Sequence, residues 1–406
     1  MQNLIWNALV FAGNVLVHPF SKLLPRDQKL WAFGAPGGRF DGNSKYLFLW
    51  MSLHQSPVTA VWITPNKALA KQLREQGLTA FRRWSAEGIR AAARAGLYVV
   101  NDNSGDVNFS LSGGARIFNL WHGVGLKNVL YGAKVGYGAK LRASANPFWR
   151  IRTIRRFERP DLVLATSPEM AEKFFARCFD VPVSQVPALG YPRLDPALDD
   201  DLKRLGRRFD DYSNLERKNG TTKTLIYVPT LRDQGTYQLA TALPDLTALS
   251  KALEAQNAEL LLKLHPKMKL EGSLADKLPH NIRILPTELD IYPVLHDVDV
   301  LITDYSSLFF DYIFARSEGV VLYTPDFDEY TATERDLAWD YDEATVGVRA
   351  KDFNRLCEVI RNGQALQPLD PEKLALLRER FWGGEPRRPT ASQRIVEYVL
   401  DRQKTK

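Results

Sequence analysis

Short apolar runs alternate along this chain with stretches of helical character. Their apolar side chains follow one another without polar alternation, which is typical of parallel strands covered on both faces. The first set lies at 30–35, 58–64, 97–101, 116–121, 161–166 and 186–189. The second lies at 224–228, 260–264, 282–285, 298–303 and 320–323, with helices predicted at 246–256 and 307–316. This pattern predicts an α/β fold.

A polar stretch rich in Asp, Arg and Lys, from 196 to 223, separates the two sets. Because 406 residues are many for one core, we predict two α/β domains, 1–195 and 224–386, joined by this linker. Ligands of such sheets bind beyond the carboxyl ends of the strands. The residues that follow each strand are therefore the candidates for chemistry.

Charge and cysteine content narrow the function classes. The 54 Lys and Arg residues exceed the 47 acidic ones, and a net charge of +7 favours an anionic partner: nucleic acid, acidic lipid or a phosphorylated substrate. Two cysteines, Cys178 and Cys357, cannot form a disulfide framework, which indicates a reduced, cytosolic setting. The apolar stretch 4–17 falls short of the roughly 20 residues that span a bilayer. It is either an interfacial anchor or a helix packed on its own protein.

The stretch 298–314 combines a strand end with Asp304, Ser306 and Ser307, and Ser307 is placed to cap the next helix. Backbone N–H groups at a helix N-terminus, together with two hydroxyls, can hold a phosphate. The alternative is an ordinary serine cap in a strand-to-helix turn.

Two more strand ends of the second set carry polar side chains. His265 follows 260–264, and Thr230 and Arg232 follow 224–228. His265 could donate to a diphosphate, and Arg232 could clamp one with a bidentate fork. Alternatively, each satisfies a buried carbonyl or a neighbouring carboxylate. Three phosphate-capable turns in one sheet favour a phosphate ligand.

In the first set, the strand 116–121 leads into His122 and Gly123. An imidazole with an ordinary pKa near 6.5 suits proton abstraction from a hydroxyl, and glycine lets a ligand approach the backbone. A structural histidine is the alternative. Asn43 and Lys45 follow the first strand and either position an acceptor or belong to a turn that caps a helix.

The segment 131–160 contains eight basic residues against one acid, Glu158, interleaved with aromatic and aliphatic side chains. That mixture is typical of an interfacial helix on an anionic membrane. The candidate membrane-binding residues are Trp149, Arg150, Arg152, Arg155 and Arg156. RNA or DNA would accept a similar patch, but the fingerprints of nucleic-acid binders are absent, so no nucleic-acid partner is predicted. A solvated basic helix is the remaining alternative.

The ordered set of motifs resembles the CDP-glycerol glycerophosphotransferases, which include teichoic acid primases and polymerases and related capsule polymerases. The resemblance extends from about residue 30 to 395. The segments that carry it are FDGNSKYLF at 40–48, NLWHGVGLKNV at 119–129, YVPTLRD at 227–233, LKLHP at 262–266, ITDYSSLFFDYIF at 302–314 and PDFDEY at 325–330.

The resemblance implies a GT-B architecture: two Rossmann-like domains facing across a cleft, with the donor held by the second and a C-terminal helix at 387–406 returning to the first. It implies peripheral attachment to the cytoplasmic face of the membrane. His122 matches the base that activates the acceptor, and His265 matches a histidine beside the donor diphosphate. Arg232, Thr230, Ser306 and Ser307 match positions around the phosphates. Asp304 would orient a histidine or a donor hydroxyl, and Asp311 would brace the turn.

Three positions depart from the family pattern: Val124 and Gly125 after the HG pair, Arg335 and Asp336 in place of RG, and Gly383, Gly384 and Glu385 in place of Asp-Gly. In the family these positions lie near donor or acceptor contacts. The departures leave the identity of the polyol open.

The implied activity is transfer of glycerol phosphate, or another polyol phosphate, from CDP-glycerol to a hydroxyl of a lipid-linked saccharide or growing cell-surface polymer, with release of CMP. A GT-B glycosyltransferase that uses a nucleotide sugar would instead release UDP or GDP. A non-catalytic basic module that docks on a membrane or nucleic acid is a third interpretation. No carboxylate pair has convincing spacing for a Mg²⁺ site and the basic groups can suffice, so no cofactor is predicted to be required, while the need for Mg²⁺ stays open.

Overall fold

The computed structural model describes residues 16–54, 56–135, 139, 142–143, 154–215, 222–232, 239–265, 268, 278–333 and 336–404. The chain divides into two compact units. The first comprises Met1–Gly123, Val129–Gly206 and Arg387–Lys406, and the second comprises Val124–Asn128 and Arg207–Pro386. No helix in the described ranges has the length and apolar character that a transmembrane span requires.

The first unit is built on a parallel sheet of six strands in the order β3-β2-β1-β4-β5-β6. Its strands are β1 (Asp27–Phe33), β2 (Thr59–Thr64), β3 (Ala80–Arg82), β4 (Ala95–Val100), β5 (Arg116–Asn119) and β6 (Leu162–Val163). Its helices are α1 (His18–Ser21), α2 (Gly42–Leu53), α3 (Lys67–Glu75), α4 (Ala86–Arg94), α5 (Pro168–Met170), α6 (Ala176–Phe179) and α7 (Asp200–Gly206), and α15 (Ala391–Lys404) belongs to the same unit.

The second unit repeats this arrangement with the order β12-β11-β10-β7-β8-β9. Its strands are β7 (Lys223–Val228), β8 (Ala258–Leu262), β9 (Ile282–Ile284), β10 (Val300–Thr303), β11 (Val320–Tyr323) and β12 (Val348–Ala350). Its helices are α8 (Leu239–Ala242), α9 (Leu246–Glu254), α10 (Leu308–Ala315), α11 (Phe327–Thr333), α12 (Tyr341–Ala344), α13 (Phe353–Arg361) and α14 (Pro371–Trp382).

Both sheets have the doubly wound Rossmann order, in which the first strand of the unit pairs with the fourth. Trp31 of β1 is opposite Leu97 of β4, and Val228 of β7 is opposite Thr303 of β10. The order reverses at these pairs, which is where such sheets bind ligands. β4 and β10 are buried along their whole length and β1 is buried over its last three residues, so their apolar runs fill the cores on both faces.

Local chemistry sets the helix ends. Asn66, Ser85 and Asp352 each accept a backbone N–H of the following helix, at the starts of α3, α4 and α13. Helix α14 begins with Pro371 behind the Asp370 cap and ends at Gly383, whose φ of 70° is in the left-handed region.

The predicted strands match observed ones except at 186–189, where only a single parallel bridge joins Ala165 and Ala188. Pro187 has no N–H to donate, which prevents a regular ladder there. The pattern missed β3 and β12, three-residue edge strands in which Arg82 and Arg349 interrupt the apolar run. The predicted helices at 246–256 and 307–316 are observed at 246–254 and 308–315.

Candidate active site

His122 stands three residues beyond the end of β5, on a turn that the chain enters through a left-handed residue. Trp121 has a φ of 55°, and its N–H donates to Asn119 Oδ1 over 2.8 Å. The Trp121 ring lies 4.0 Å from the His122 ring, centroid to centroid. A left-handed tryptophan costs about 1–2 kcal/mol, so the turn is held by its surroundings.

The His122 ring has a defined tautomer. Its Nδ1 lies 3.0 Å from the Asn101 carbonyl oxygen, so Nδ1 carries the proton and Nε2 keeps its lone pair. The side chain itself is exposed. Desolvation by the protein around the ring lowers the pKa of His122, against the opposing effects of Asp102 and the Asn101 carbonyl. At neutral pH the ring is therefore an uncharged base.

The backbone around His122 is fixed by buried side chains. Arg193 donates from Nη1 to the His122 carbonyl over 2.6 Å, and the Tyr191 hydroxyl donates to the Gly123 carbonyl over 2.9 Å. Asn43 donates to the carbonyls of Leu120 and Trp121 over 3.1 and 3.0 Å. These contacts set the shape of the turn.

Two predicted acceptor-binding residues have structural positions instead. Asn43 and Lys45 are fully buried, so neither is an exposed contact for an acceptor. Lys45 Nζ lies 5.5 Å from the centre of the Phe40 ring and 5.3 Å from that of Tyr46. The start of α2 is capped from outside, because Asn101 Oδ1 accepts both the N–H and the hydroxyl of Ser44.

In the second unit, Asp304 occupies the switch point between β7 and β10. Its carboxylate accepts the Thr230 N–H over 2.9 Å and the Tyr305 N–H over 2.6 Å, and it pairs with Arg232 Nη1 over 3.0 Å. These contacts tie two strand ends together, whereas the resemblance implied that Asp304 orients a histidine or a donor hydroxyl. Asp311, which the resemblance implied would brace the turn, accepts the Tyr292 hydroxyl over 3.0 Å and so links α10 to 290–296.

Arg232 forms the bidentate fork that the sequence suggested, but with a carboxylate of the protein. Nε and Nη2 contact the two oxygens of Asp326 over 2.8 and 3.0 Å, and Nη1 also donates to the Thr230 carbonyl over 2.6 Å. Burial alone would lower the pKa of Arg232, yet Asp304 and Asp326 raise it above its usual value. The alternative interpretation, that Arg232 satisfies neighbouring carboxylates, is the one observed.

Aromatic rings surround this ion-pair network. Tyr305 and Tyr330 stack at 3.8 Å, and the Arg232 guanidinium carbon lies 5.1 and 4.7 Å from their ring centres. A cavity of about 780 Å³ opens beside Arg232 and Asp326. Its wall also includes Thr324, Arg349 and Lys351.

The three hydroxyl residues predicted to contact phosphates, Thr230, Ser306 and Ser307, form fewer side-chain bonds to the protein than Arg232 and Asp304 do. Ser306 Oγ accepts the Leu308 N–H over 3.3 Å. Ser307 is at the N-cap position, as predicted, but its side chain forms no capping bond. Both serines are half-buried. Thr230 Oγ1 is buried and has no hydrogen-bond partner among the described residues. His265 lies three residues beyond β8 with its side chain exposed.

The residues directly after Gly123 pack in the second unit. Lys127 and Leu337 form an antiparallel bridge, and Asn128 donates from Nδ2 to Asp336 Oδ2 over 2.8 Å. Trp339 Nε1 donates to the Gly125 carbonyl over 2.8 Å. Asp336 and Gly125, two departures from the family pattern, are thus in one small ladder, 124–128 against 336–339.

Two of the five predicted membrane-binding residues, Arg155 and Arg156, belong to the described residues. Trp149, Arg150 and Arg152 lie outside the described residues. Arg156 is exposed, as a surface contact requires, but Arg155 is half-buried with its guanidinium carbon 5.9 Å from the centre of the Phe109 ring. In the described ranges no group of three or more His, Cys, Asp or Glu side chains could hold a metal ion.

Sequence reasoning missed Asn101 and Asp326, which respectively fix the imidazole and Arg232. Asn101 follows β4 directly, so its place at a strand end was the available signal. Asp326 lies within the PDFDEY motif, but nothing in that motif shows that its partner is 94 residues away.

Comparisons with known proteins agree on the family. A family model described as CDP-Glycerol:Poly(glycerophosphate) glycerophosphotransferase matches residues 16–401. The chain is 28% identical over 246 residues to a teichoic acid ribitol-phosphate primase of Bacillus spizizenii, covering 60% of each protein. It is 22% identical to a teichoic acid glycerol-phosphate transferase of Staphylococcus aureus over 93% of this chain and 94% of the relative. The chain spans only 42% and 38% of two ribitol-phosphate polymerases that it also matches.

The structure of the wall teichoic acid polymerase TagF superimposes with a TM-score of 0.73 at 21% identity, covering all of this chain and 98% of that one. This likeness confirms the predicted α/β fold of the GT-B class. With a family model that matches nearly its whole length, the chain belongs to the CDP-glycerol:poly(glycerophosphate) glycerophosphotransferase family.

Proposed function

We propose that this protein transfers glycerol phosphate, or another polyol phosphate, from a CDP-activated donor to a hydroxyl of a lipid-linked saccharide or growing cell-surface polymer. The observation that carries the proposal is His122: an exposed, neutral imidazole whose Nδ1 is held by a carbonyl and whose Nε2 can accept a proton. Family membership and the names of the relatives, glycerol-phosphate and ribitol-phosphate enzymes, support the substrate class.

In the proposed reaction, His122 Nε2 takes the proton of the acceptor hydroxyl. The acceptor oxygen forms a bond to the phosphorus that carries the polyol, and the bond from that phosphorus to the bridging oxygen breaks. CMP leaves with the electron pair. Such a transfer depends mainly on alignment and on charge stabilisation, which need no covalent intermediate.

The proposed donor contacts are polar groups that follow the strands β7, β8 and β10. Thr230 Oγ1, the two serines at the start of α10 and the exposed His265 are the proposed contacts to the diphosphate. Arg232 and Asp304 have a supporting role, because their charges are already paired inside the unit. No metal or other cofactor is part of the proposal.

The acceptor and the location follow from the basic segment 131–160. Eight basic residues interleaved with aromatic ones suit an anionic membrane surface, where a lipid-linked acceptor would be found. We therefore place the protein, as a peripheral enzyme, at the cytoplasmic face of the membrane.

The test is incubation with CDP-glycerol, CDP-ribitol, UDP-glucose and GDP-mannose, each with lipid-linked acceptors, while released nucleotide and product mass are measured. We expect CMP from one CDP-polyol and a product heavier by one or more polyol phosphates. Release of UDP or GDP with a product heavier by one sugar would replace the proposal by a GT-B glycosyltransferase. No turnover with any donor would favour a non-catalytic module.

A further inference from the structure

The turn after β4, residues Asn101–Asp106 and called the β4 turn below, is the support of the catalytic imidazole. Its first carbonyl accepts His122 Nδ1. Asp106 Oδ2 accepts the N–H groups of Asn101 and Asp102, each over 2.9 Å, and Asn119 Nδ2 donates to the Asp102 carbonyl over 2.6 Å. The orientation of the Asn101 carbonyl therefore depends on the shape of this turn.

Glu158 holds the same turn from a distant part of the chain. Ser104 donates its N–H to Glu158 Oε2 over 2.8 Å and its hydroxyl to Oε1 over 2.7 Å, across 54 residues. Glu158 is the one acid among the eight basic residues of 131–160, yet its carboxylate is directed to Ser104. Burial raises the pKa of Glu158, and the two bonds from Ser104 oppose that rise.

Neighbouring contacts make this docking site more than one pair. Arg155 Nη1 lies 3.3 Å from the point where a Cβ of Gly105 would stand, so the guanidinium packs on the β4 turn itself. Tyr131, at the other end of the basic segment, donates its hydroxyl to the Phe157 carbonyl over 3.0 Å. The end of the basic segment is thus packed on the turn that supports His122.

We propose that Glu158 is a positioning residue for His122, acting through Ser104 and the Asn101 carbonyl. The inference rests on the proposed role of His122 as the base. It gives the end of the basic segment a task in the transfer step, besides any contact with a membrane.

The physical reason is the choice of tautomer. A neutral imidazole accepts a proton at Nε2 only while Nδ1 carries the hydrogen, and an acceptor at Nδ1 selects that form. When Ser104 loses both bonds, the β4 turn loses its outer anchor and the Asn101 carbonyl is no longer held in line. A mixture of tautomers and ring orientations then reduces the fraction of enzyme in which His122 can take the acceptor proton. The contacts to the donor do not change.

The experiment compares Glu158→Ala and Glu158→Gln in the full chain. For the alanine variant we expect kcat for CMP release to fall about tenfold with the KM for CDP-glycerol unchanged, as misplacement of a catalytic group predicts. Glutamine can accept the Ser104 N–H at Oε1 and donate from Nε2 to the Ser104 hydroxyl, so we expect kcat within about twofold of wild type. An equal loss in both variants would overturn the proposal in favour of a role for the charge.

A second measurement does not depend on the substrate. Ring-¹⁵N-labelled histidine gives six resonance pairs, of which that of His122 is identified by its absence in His122→Gln. We expect the Nδ1–H form in wild type and Glu158→Gln, and a tautomer mixture in Glu158→Ala. If wild type releases no CMP, the proposed function fails while this readout still tests Glu158. An unchanged tautomer and an unchanged kcat in Glu158→Ala would refute the inference.

The matched control is Asp180→Asn. It removes the ion pair between Asp180 and Arg159, the residue that follows Glu158, and leaves the β4 turn unchanged. Asp180 has a φ of 54°, a conformation that asparagine tolerates. We expect wild-type kcat and tautomer. Should Glu158→Ala not fold, Ser104→Ala takes its place: it keeps the backbone bond, and an intermediate loss of kcat is expected.

Discussion

The polar turns of the two units use their side chains in opposite ways. In the first unit the candidate base His122 is exposed, and the groups that hold it, such as the Asn101 carbonyl, the Asn43 amide and Arg193, bond mainly to backbone or ring atoms. In the second unit the charged residues Arg232, Asp304 and Asp326 neutralise one another, two of them fully inside. In the second unit these three charged residues therefore stabilise the ends of the strands.

The most severe test of this contrast is His122→Ala. We expect kcat for CMP release to fall about 10²–10⁴-fold, the usual contribution of a general base, with CDP-glycerol binding retained. In wild type, the pKa of His122 lies below the usual histidine value of 6.5, so the imidazole stays neutral at lower pH than an ordinary histidine does. We therefore expect kcat to fall only when the pH drops below about 6.5. Titration calorimetry with CDP-glycerol and a pH profile of kcat measure both. Wild-type turnover in the variant would remove His122 from the mechanism.

Arg232→Met tests the scaffold side. Because Asp304 would be left buried without its counter-charge, we expect a loss of about 3–5 kcal/mol of unfolding free energy. Arg204→Met is the control: both side chains of its ion pair with Asp201 are exposed, so a loss of about 0–1 kcal/mol is expected. Urea unfolding of both variants decides. A stable Arg232→Met protein with weakened donor binding would show that the fork acts on the ligand instead.

Asp106, the last residue of the β4 turn, adds a second contrast with the second unit, because its raised pKa favours the neutral acid. Burial raises its pKa to about 8, whereas an unfolded aspartate has a pKa of about 3.9. The folded state thus binds a proton that the unfolded chain releases, so this contribution to stability is full below about pH 4 and is lost as the pH rises toward 8. Asp106→Asn should remove that slope, and melting temperatures measured from pH 4 to 8 will show it.

Asp195 provides the comparison variant. The Asp195 carboxylate accepts the N–H groups of Ala391 and Ser392. Burial raises the pKa of Asp195 to about 6. Asp195→Asn should alter the pH dependence of the melting temperature only below about pH 6. A pH dependence between 6 and 8 that persists in Asp106→Asn would assign it to another group.

Thr230→Val has the smallest expected effect, but the directions of its effects on stability and on the KM for CDP-glycerol are clear. The change removes a buried hydroxyl that has no partner in the described part of the chain, so stability should stay the same or rise. If that hydroxyl binds the donor, KM for CDP-glycerol should rise by the value of one hydrogen bond, about 0.5–1.5 kcal/mol or two- to tenfold. Thr303→Val is matched to it: its hydroxyl already donates to the Val228 carbonyl, so stability should fall and KM should not change.

The fold was largely predictable because buried parallel strands have an unambiguous apolar pattern, and the strands on both sides of each switch point were found. The two edge strands with a central or terminal arginine, β3 and β12, carry no such pattern. His122 was predictable from its place after a strand. The pairing of Arg232 was not, since its two carboxylates lie 72 and 94 residues away and a fork suits phosphate and carboxylate equally. For the same reason Glu158 was counted with a membrane segment, whereas its bonds are to Ser104.

The assignment of residues 124–128 to the second unit has a consequence for engineering. The polypeptide passes between the units at 123/124, 128/129, 206/207 and 386/387. Suppose that a chimaera joins residues 1–206 of one relative to the remaining residues of another. Residues 124–128 would then pair with a 336–339 segment from a different protein, and α15 would pack on a first unit from a different protein. Recombination within this family should therefore succeed only when residues 124–128 are exchanged together with the second unit and α15 is kept with the first unit.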